Sequence, residues 1–398
     1  MIELLNDASV WEEFLNYKLS HHLLTRQEEQ YFSDYIKQKK YQTIADCILT
    51  GSYFFSCPKR SEINKLGTSK KRIVYSFSDD ENMILKLLAY LLHRYDFCLE
   101  DNCYAFRCNT GAKKAFTDIL QYPQIADLWC FQSDISNYFN SIDITLLEPL
   151  LYEVIEDTSV IHLLLALLKD DRALSEHGII HESKGVMAGT PIASFLANLY
   201  LMPMDRYFSA HSVCYARYSD DILILAPKEQ LLQYREFYHD YLQQHHLLVN
   251  PAKESLHAPG EAWSFLGFSN CNAQIDISPG TLKKILDRLR RSSHSLYRWS
   301  VKNNATPQRT LRAFIRKYNC KFYSTQSGHE LCWARWYFPM ITTTKSLQYI
   351  DEYMQDCLRY SVTGRHNKMN YKKVPYDLLR QCGYRPLVAE YYCKNSSY

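Results

Sequence analysis

Two adjacent aspartates, Asp220 and Asp221, stand inside the otherwise apolar stretch CYARYSDDILIL at residues 214–225. The pattern predicts a strand, a tight turn and a second strand, with both carboxylates at the turn. Neighbouring carboxylates repel each other, and a buried charge without a partner is too costly to keep. The two acids must therefore share a proton or hold a cation, a requirement that constrains the chain more than any other feature of its sequence.

A third aspartate, Asp134, lies on a short apolar strand predicted within WCFQSDISNYF at residues 129–139. Taken singly, each aspartate fits a turn or a salt bridge as well as a catalytic site. Three carboxylates that converge from two separate segments are instead typical of a divalent-metal site. Two such ions about 4 Å apart can activate a 3′-hydroxyl and stabilise a leaving pyrophosphate. The aspartates therefore predict a metal-dependent nucleotide-transfer centre.

Charge is distributed unevenly along the 398 residues. Residues 281–398 contain 22 Lys and Arg against 7 Asp and Glu, whereas residues 1–280 contain 24 against 36. The basic part also interleaves aromatic residues with its charges, as in RKYNCKFY at 316–323. This mixture suits a polyanion whose bases can stack on aromatic rings. A helical domain with a solvated basic face would have the same composition, so charge alone leaves both interpretations open.

Several classes of protein do not fit the composition. No apolar run reaches the ~18 residues that span a bilayer, and the acidic start MIELLNDASVWEEF lacks the pattern of a signal peptide. The 13 cysteines include no C-x-x-C pair, which favours reduced thiols over a disulfide framework or a structural zinc site. These features predict a cytoplasmic protein without membrane attachment. Strand and helix patterns that mix without strict alternation predict an α+β fold with further helices at both ends.

An ordered series of segments resembles the motifs of reverse transcriptases. In chain order they are KKRIVYSF (70–77), NCYAFR (102–107), DISNYFNSI (134–142), GTPIASFLANLYL (189–201), YSDD (218–221), LLVNPAK (247–253) and FLGF (265–268). A lone Y-x-D-D is a weak signal, but the whole set follows the family's order and spacing from about residue 60 to about residue 270.

The resemblance implies a right-hand polymerase fold, with an antiparallel-sheet palm, fingers and a helical thumb. The implied domains are an N-terminal helical extension (1–55), fingers (56–125), a palm (126–270, with a fingers insertion around 150–185) and a basic helical thumb with a C-terminal extension (271–398).

The resemblance also implies a role for each acidic residue. Asp134 and Asp220 would bridge two Mg²⁺ ions, for which Mn²⁺ is a substitute, and Asp221 would be a supporting carboxylate. The carbonyl of Ile135 would be a further ligand. Lys253 would protonate the leaving pyrophosphate, although a surface lysine would look the same in the sequence.

Two further sets follow from the resemblance. The incoming deoxynucleotide would be held by Lys70, Arg72, Arg107, Phe139 and Gly189, with Lys65 as an additional cation. Cationic side chains would offset the triphosphate charge, and the aromatic ring would exclude a ribose 2′-hydroxyl. Each residue also has a purely structural interpretation. The alternatives are an exposed basic turn for Lys65, Lys70 and Arg72, an internal ion pair for Arg107, a core aromatic for Phe139 and the start of a helix for Gly189. The primer end would be gripped by Phe265, Leu266, Gly267 and Phe268.

Departures from the family pattern narrow the subgroup. Group II intron and retron enzymes have Pro-Gln-Gly before the palm helix, whereas this chain has Met187, Ala188 and Gly189. With the N-terminal extension and the tail YDLLRQCGYRPLVAEYY (376–392), the chain looks most like bacterial defence-associated and abortive-infection reverse transcriptases. That resemblance implies RNA-directed DNA synthesis in the bacterial cytoplasm, on a cognate non-coding RNA and from a DNA or RNA primer, in antiphage defence. A partner protein or a homo-oligomer remains open.

Two other functions also remain open. One is a template-independent or protein-primed DNA polymerase that uses one of the 32 tyrosines as primer. The other is a catalytically silent RNA-binding regulator, against which the intact aspartates argue, because a binding module has no need for costly metal-chelating carboxylates.

Overall fold

The computed structural model describes residues 1–64, 71–108, 110–323 and 332–395. The chain forms two compact units, Met1–Pro259 and Gly260–Tyr398. In the described ranges, no helix has both the length and the apolar character needed to cross a membrane. The 13 cysteines are free thiols. The sequence-based domain limits, including the palm–thumb boundary at residue 270, stay predictions.

Helices make up most of the first unit. Its described α-helices are α1 (Ala8–Ser20), α2 (Arg26–Lys37), α3 (Gln42–Leu49), α4 (Asp79–Leu92), α5 (Ala112–Leu120), α6 (Tyr138–Ser141), α7 (Ile144–Val154), α8 (Thr158–Lys169), α9 (Ala193–Tyr200), α10 (Met202–Ala210) and α11 (Lys228–Gln244). Short 3₁₀ helices lie at Ile2–Asn6, His93–Cys98 and Ile125–Asp127. Helices α2 and α4 begin with capping boxes, in which Thr25 and Ser78 accept from backbone N–H groups that would otherwise lack partners.

Two four-stranded sheets complete this unit. The strands are β1 (Lys59–Asn64), β2 (Lys71–Ser76), β3 (Trp129–Asp134), β4 (Arg172–Ser175), β5 (Gly178–His181), β6 (Cys214–Tyr218), β7 (Asp221–Ala226) and β8 (Ser255–His257). One sheet has the order β2-β1-β4-β5 and the other β6-β7-β3-β8. Every pair in the second sheet is antiparallel.

Strand β7 lies between β6 and β3 in the second sheet. Its residues 222–226 are all buried, which explains the continuous apolar run ILILA, because both faces of the strand are covered. Helix α11 packs against β3 and β7. The β3–β7 register runs from Trp129 opposite Ala226 to Asp134 opposite Asp221, so the aspartates lie at one end of the sheet.

The second unit contains a small sheet and a group of helices. Strands β9 (Trp263–Phe265), β10 (Phe268–Cys271) and β11 (Gln274–Ile277) form an antiparallel sheet in the order β11-β10-β9. The described helices are α12 (Pro279–Lys302), α13 (Pro307–Tyr323), α14 (Trp333–Tyr337), α15 (Lys345–Thr363), α16 (Asn370–Lys373), α17 (Tyr376–Gln381) and α18 (Leu387–Asn395). Ser278 caps α12 and Pro279 is its first residue, as the Ser-Pro pair predicts.

The predicted α+β class is confirmed, with two antiparallel sheets, one mixed sheet in which β1 and β4 pair in parallel, and a helical C-terminal region.

Candidate active site

The two ends of β3 and β7 bring Asp134 and Asp221 directly opposite each other. Facing residues of an antiparallel pair project to the same side of a sheet, so the two carboxylates share a face. Asp220 belongs to the preceding turn, and its carbonyl accepts a hydrogen bond from the Ile135 amide at 3.2 Å. The structure therefore brings the three predicted aspartates together from two separate segments.

The surroundings of Asp220 and Asp221 destabilise the ionised form of both carboxylates. Partial burial, followed by the neighbouring charge of Asp220, raises the pKa of Asp221 to about 7. Burial and the charge of Asp134 likewise raise the pKa of Asp220. The Asp134 side chain is 8% exposed and that of Asp221 is 46% exposed. Negative charge concentrated in this way favours a bound cation.

One lysine and one amide already serve this cluster. Lys253 forms an ion pair with Asp134, and its Nζ lies 3.8 Å from Asp221 Oδ1. Asn250 donates twice to Asp134, from Nδ2 to Oδ2 at 3.0 Å and from its backbone N–H to the carbonyl at 2.8 Å. A single ammonium cannot neutralise three carboxylates, so the oxygen-rich set fits a divalent cation such as Mg²⁺. Lys253 thus lies at the centre, and Asn250 is a supporting residue that belongs to the quoted segment LLVNPAK but received no role from the sequence.

The predicted main-chain ligand lies in the same place. Ile135 follows Asp134 directly, is 1% exposed and forms an isolated antiparallel bridge with Val249. Its carbonyl as a metal ligand stays a prediction.

Arg72 and Gly189 come from segments that the structure joins. Arg72 is exposed on β2, whereas Lys65 and Lys70 lie outside the described residues. Gly189 has φ +102°, and a Cβ there would lie 3.1 Å from the Tyr75 carbonyl oxygen. The glycine therefore lets its own segment approach β2.

Asn140 reinforces this junction, and no sequence signal singled it out. Its Nδ2 donates to the Ile73 carbonyl at 3.1 Å, and its Oδ1 accepts from the Ala188 amide at 2.9 Å. The Ala188 carbonyl in turn accepts from the Tyr75 amide at 2.8 Å. The Asn140 side chain thus links β2, α6 and the segment that contains Ala188 and Gly189.

Phe139 is half-buried beside the acidic centre. Its ring packs edge-to-face on Phe106 and Tyr138, with ring-centroid distances of 6.1 Å and 5.7 Å. Phe106 also lies 6.4 Å from the ring of Tyr218, two residues before Asp220. The predicted gate is therefore part of an aromatic cluster, of which sequence reasoning found a single member.

Arg107 is held by the main chain around it. Its guanidinium donates to the carbonyls of Glu100, Cys103 and Asp96 at 2.6, 3.0 and 3.2 Å. Three hydrogen bonds to main-chain oxygens stabilise the loop that carries Phe106.

The predicted primer grip forms a tight hairpin in the second unit. Phe265 ends β9 and Phe268 begins β10, and both rings are buried. Leu266 and Gly267 have φ +51° and +92°, the positive pair typical of a two-residue hairpin turn.

A group of three metal-ligating side chains lies elsewhere in the described part of the chain. His93, Asp96 and Cys108 each offer a ligand atom within 4.8 Å of the others. The Asp96 carboxylate also accepts from the Cys108 amide at 3.3 Å. Three donors are one fewer than a structural zinc site has, and the sequence did not predict this group.

The chain matches a known protein family over more than half of its length. The family described as reverse transcriptase (RNA-dependent DNA polymerase) matches residues 58–270. No curated protein sequence matches the chain.

Similar solved structures include three structures of two telomerases. The first is the Candida albicans enzyme in complex with a TWJ fragment of telomeric RNA, with 13% identity and a TM-score of 0.46, and the match covers 89% of this chain and 68% of that one. The second is the apo enzyme of Candida tropicalis, with 11% identity and a TM-score of 0.46, covering 82% of this chain and 58% of that one. The third is a form of the Candida tropicalis enzyme truncated from its C-terminal domain, with 12% identity and a TM-score of 0.44, covering 56% of this chain and 55% of that one. The chain thus spans 55% to 68% of the length of these telomerase chains.

Proposed function

The chain belongs to the reverse transcriptase family of RNA-directed DNA polymerases, and from this premise we propose that it extends a primer 3′-hydroxyl by a two-metal mechanism at Asp134, Asp220 and Asp221. The observation that carries the proposal is the register pair of Asp134 with Asp221, beside the turn that holds Asp220. The raised pKa values of Asp220 and Asp221, together with the buried Asp134 carboxylate, support a site made for divalent cations.

The chain's own residues prepare the reaction. Asn250 donates to both the carboxylate and the carbonyl of Asp134 and so fixes the orientation of this side chain. Bound divalent ions would supply Lewis-acid activation of the primer hydroxyl and offset charge on the leaving pyrophosphate. Asp134, Asp220 and Asp221 are the residues that would hold them.

Lys253 is proposed to hold the proton that the pyrophosphate takes. Burial opposes its charge, but the hydrogen bond to Asp134 and the nearby carboxylates outweigh burial and raise the pKa of Lys253. The Nζ therefore stays protonated at neutral pH and is able to act as a general acid.

The proposed substrate is a deoxynucleoside triphosphate. Phe139 would exclude the ribose 2′-hydroxyl, and Arg72, which is exposed on β2, would contact the phosphates, together with Lys65 and Lys70 of the adjoining segment.

The proposed template is a cognate non-coding RNA, and the proposed role is antiphage defence in the bacterial cytoplasm. The sequence variant at Ala188 and the basic second unit support this subgroup. Helices α12 and α13 border a groove of about 480 Å³ lined by Arg288, Arg291, Lys317 and Trp299 among others. Cations beside an indole ring suit phosphates and stacked bases.

The decisive experiment measures labelled dNTP incorporation with Mg²⁺ on a primed RNA template. The double variant Asp220→Asn/Asp221→Asn is expected to lose incorporation, whereas the control Asp101→Asn/Asp240→Asn, which removes two exposed carboxylates, keeps it. Incorporation by the active-site variant would contradict the proposal. For the biological role, the protein is immunoprecipitated from its host, and its bound RNA and new DNA are sequenced.

Protein priming is a second candidate, because Tyr376 and Tyr392 are 42% and 56% exposed in the C-terminal tail. Mass spectrometry of the reacted protein would detect a nucleotide–tyrosine adduct. A product complementary to a bound RNA would exclude untemplated synthesis.

A further inference from the structure

We propose that Phe106 is a positioning residue for Phe139 and thereby sets how strongly the enzyme prefers deoxynucleotides over ribonucleotides. This inference rests on the proposed function, in which Phe139 excludes the ribose 2′-hydroxyl. Phe106 belongs to a different segment of the chain from Phe139 and affects the substrate only by positioning the Phe139 ring.

The backbone of Phe106 is the first sign of a special role. Its φ is +60°, in the left-handed region that a bulky side chain rarely occupies. Its ring is nevertheless 40% exposed, so burial of the ring does not explain the conformation. Unfavourable backbone angles persist only where the surroundings impose them, and such positions cluster at functional sites.

The surroundings of Phe106 do impose them. The Ala105 carbonyl accepts from Asn198 Nδ2 at 2.8 Å, a bond buried inside the unit. The Tyr104 amide donates to the Arg217 carbonyl at 2.9 Å, which attaches the loop to β6. On the other side, Arg107 donates to three backbone carbonyls. The loop is therefore fixed before and after Phe106, and it directs the ring toward Phe139.

Phe139 needs such a neighbour. Its main chain is held where the Val186 amide donates to its carbonyl at 2.9 Å, and a Cβ on Gly185 would overlap with that same carbonyl. The ring itself has no polar atom, so packing alone determines its rotamer. Tyr138 packs on it and is itself immobilised, with its hydroxyl bonded to the Ala197 carbonyl at 2.5 Å.

Phe106 contributes the remaining aromatic contact, edge-to-face at an interplanar angle of 76°. A steric gate discriminates through a clash with a single oxygen atom, and a small rotation of the ring would relieve that clash. Without Phe106, the space on its side of the ring opens, and Phe139 gains freedom to turn away from the sugar. Ribonucleotides would then fit better, while deoxynucleotides, which make no clash, would be little affected.

The test compares kcat/KM for dATP and ATP on one primed template, using the full chain. Phe106→Ala is expected to lower the dATP-over-ATP preference by about 3- to 10-fold, the range that one aromatic pair supports, with kcat/KM for dATP nearly unchanged. Phe106→Tyr keeps the ring and is expected to keep the preference. Phe97→Ala removes a ring that is 79% exposed and serves as the matched control.

The double variant gives the sharper result. Phe139→Ala should reduce the preference further than Phe106→Ala, and Phe106→Ala/Phe139→Ala should match Phe139→Ala, because Phe106 has nothing left to position. Additive losses in the double variant, or equal losses for dATP and ATP in Phe106→Ala, would overturn the inference. Should Phe106→Ala fold poorly by circular dichroism, Phe106→Leu provides the same comparison. An inactive wild-type protein would overturn the proposed function and this inference with it, whereas an active one whose preference ignores Phe106 overturns this inference alone.

Discussion

Arg217 and Asp205 form an ion pair in which both side chains are 0% exposed, with Arg217 Nε 2.8 Å from Asp205 Oδ1. The same guanidinium donates to the Ser219 carbonyl at 3.2 Å. Ser219 has φ +62° and precedes Asp220 in the turn. Asp205 also accepts from the Tyr215 hydroxyl at 2.8 Å. A fully buried ion pair therefore anchors the turn that presents the aspartates.

Replacing one partner of this ion pair should lower the free energy of unfolding more than replacing both partners together. Arg217→Met or Asp205→Leu alone leaves a buried charge unpaired and is expected to lower the free energy of unfolding by about 3–5 kcal/mol. The double variant Arg217→Met/Asp205→Leu should lose much less than the sum of the two. Urea unfolding of the wild type, the two single variants and the double variant gives the coupling free energy between the two side chains. Additive losses of unfolding free energy would contradict a paired role. The double variant should still lose polymerase activity, because nothing then holds the Ser219 carbonyl.

Asp221→Asn should stabilise the metal-free protein and abolish its response to metal. The substitution removes a charge that its neighbours oppose, so the melting temperature without Mg²⁺ is expected to rise. The increase in melting temperature that Mg²⁺ causes in the wild type should shrink, since the ligand stabilises by binding the folded state. Activity should fall at least about 100-fold. Thermal melts with and without Mg²⁺ test this, with Asp240→Asn as control, and an unchanged Mg²⁺ response would count against the site.

Glu81 gives a pH-dependent stability away from the active site. Its side chain is 3% exposed; burial opposes its charge, but hydrogen bonds from Ser56, Ser78 and Tyr53 outweigh burial and lower the pKa of Glu81. The stability that ionised Glu81 contributes is therefore fully present above pH 4.5, the ordinary pKa of a glutamate. It is lost as the pH falls through the lowered pKa of Glu81 in the folded protein.

Glu81→Gln is expected to lower the free energy of unfolding by about 2–3 kcal/mol at neutral pH. The substitution would place an NH₂ donor against Ser56, Ser78 and Tyr53, which donate to the carboxylate in the wild type. The difference between the two proteins should narrow as the pH falls below the unfolded-state pKa. Urea unfolding at neutral and acidic pH measures it. A difference that stayed constant, or widened in acid, would show that Glu81 is not ionised in the fold.

Lys253 should matter for the rate more than for nucleotide binding. Lys253→Arg keeps a cation beside Asp134 but gives up a proton far less readily, and Lys253→Met removes the charge as well. Both are expected to reduce kcat by about 100-fold or more, with KM for dNTP changing little. Single-turnover kinetics separate the chemical step from product release. Full activity of Lys253→Arg would indicate that the residue acts through its charge alone.

The groove between α12 and α13 should account for part of the salt dependence of RNA binding. Replacing Arg288, Arg291 and Lys317 by Gln is expected to reduce the slope of log Kd against log salt by about 2, the value for three phosphate contacts on a single strand. The control Lys37→Gln/Lys39→Gln/Lys40→Gln makes the same charge change on an exposed surface of the first unit. Fluorescence anisotropy across salt concentrations measures both, and equal slopes in all three proteins would exclude the groove as an RNA contact.

Much of the fold was predictable because the relevant signals are local. The Ser278-Pro279 helix start and the hairpin at Asp220 and Asp221 depend on residues that are adjacent in the chain. The continuous apolar run of β7 likewise reports burial on both faces of one strand.

The sequence by itself determined the acidic hairpin, the third aspartate on its own strand and the basic character of the C-terminal part, since each depends on residue type and near neighbours. Only the tertiary structure decided that Asp221 rather than Asp220 faces Asp134, because the register of β3 against β7 sets which side chains meet. Only the tertiary structure brought Asn250 to Asp134 across 116 residues and Phe106 to Phe139. Hydrogen bonds and ring contacts between distant segments depend on how the chain is packed, and no local pattern of residues specifies that packing.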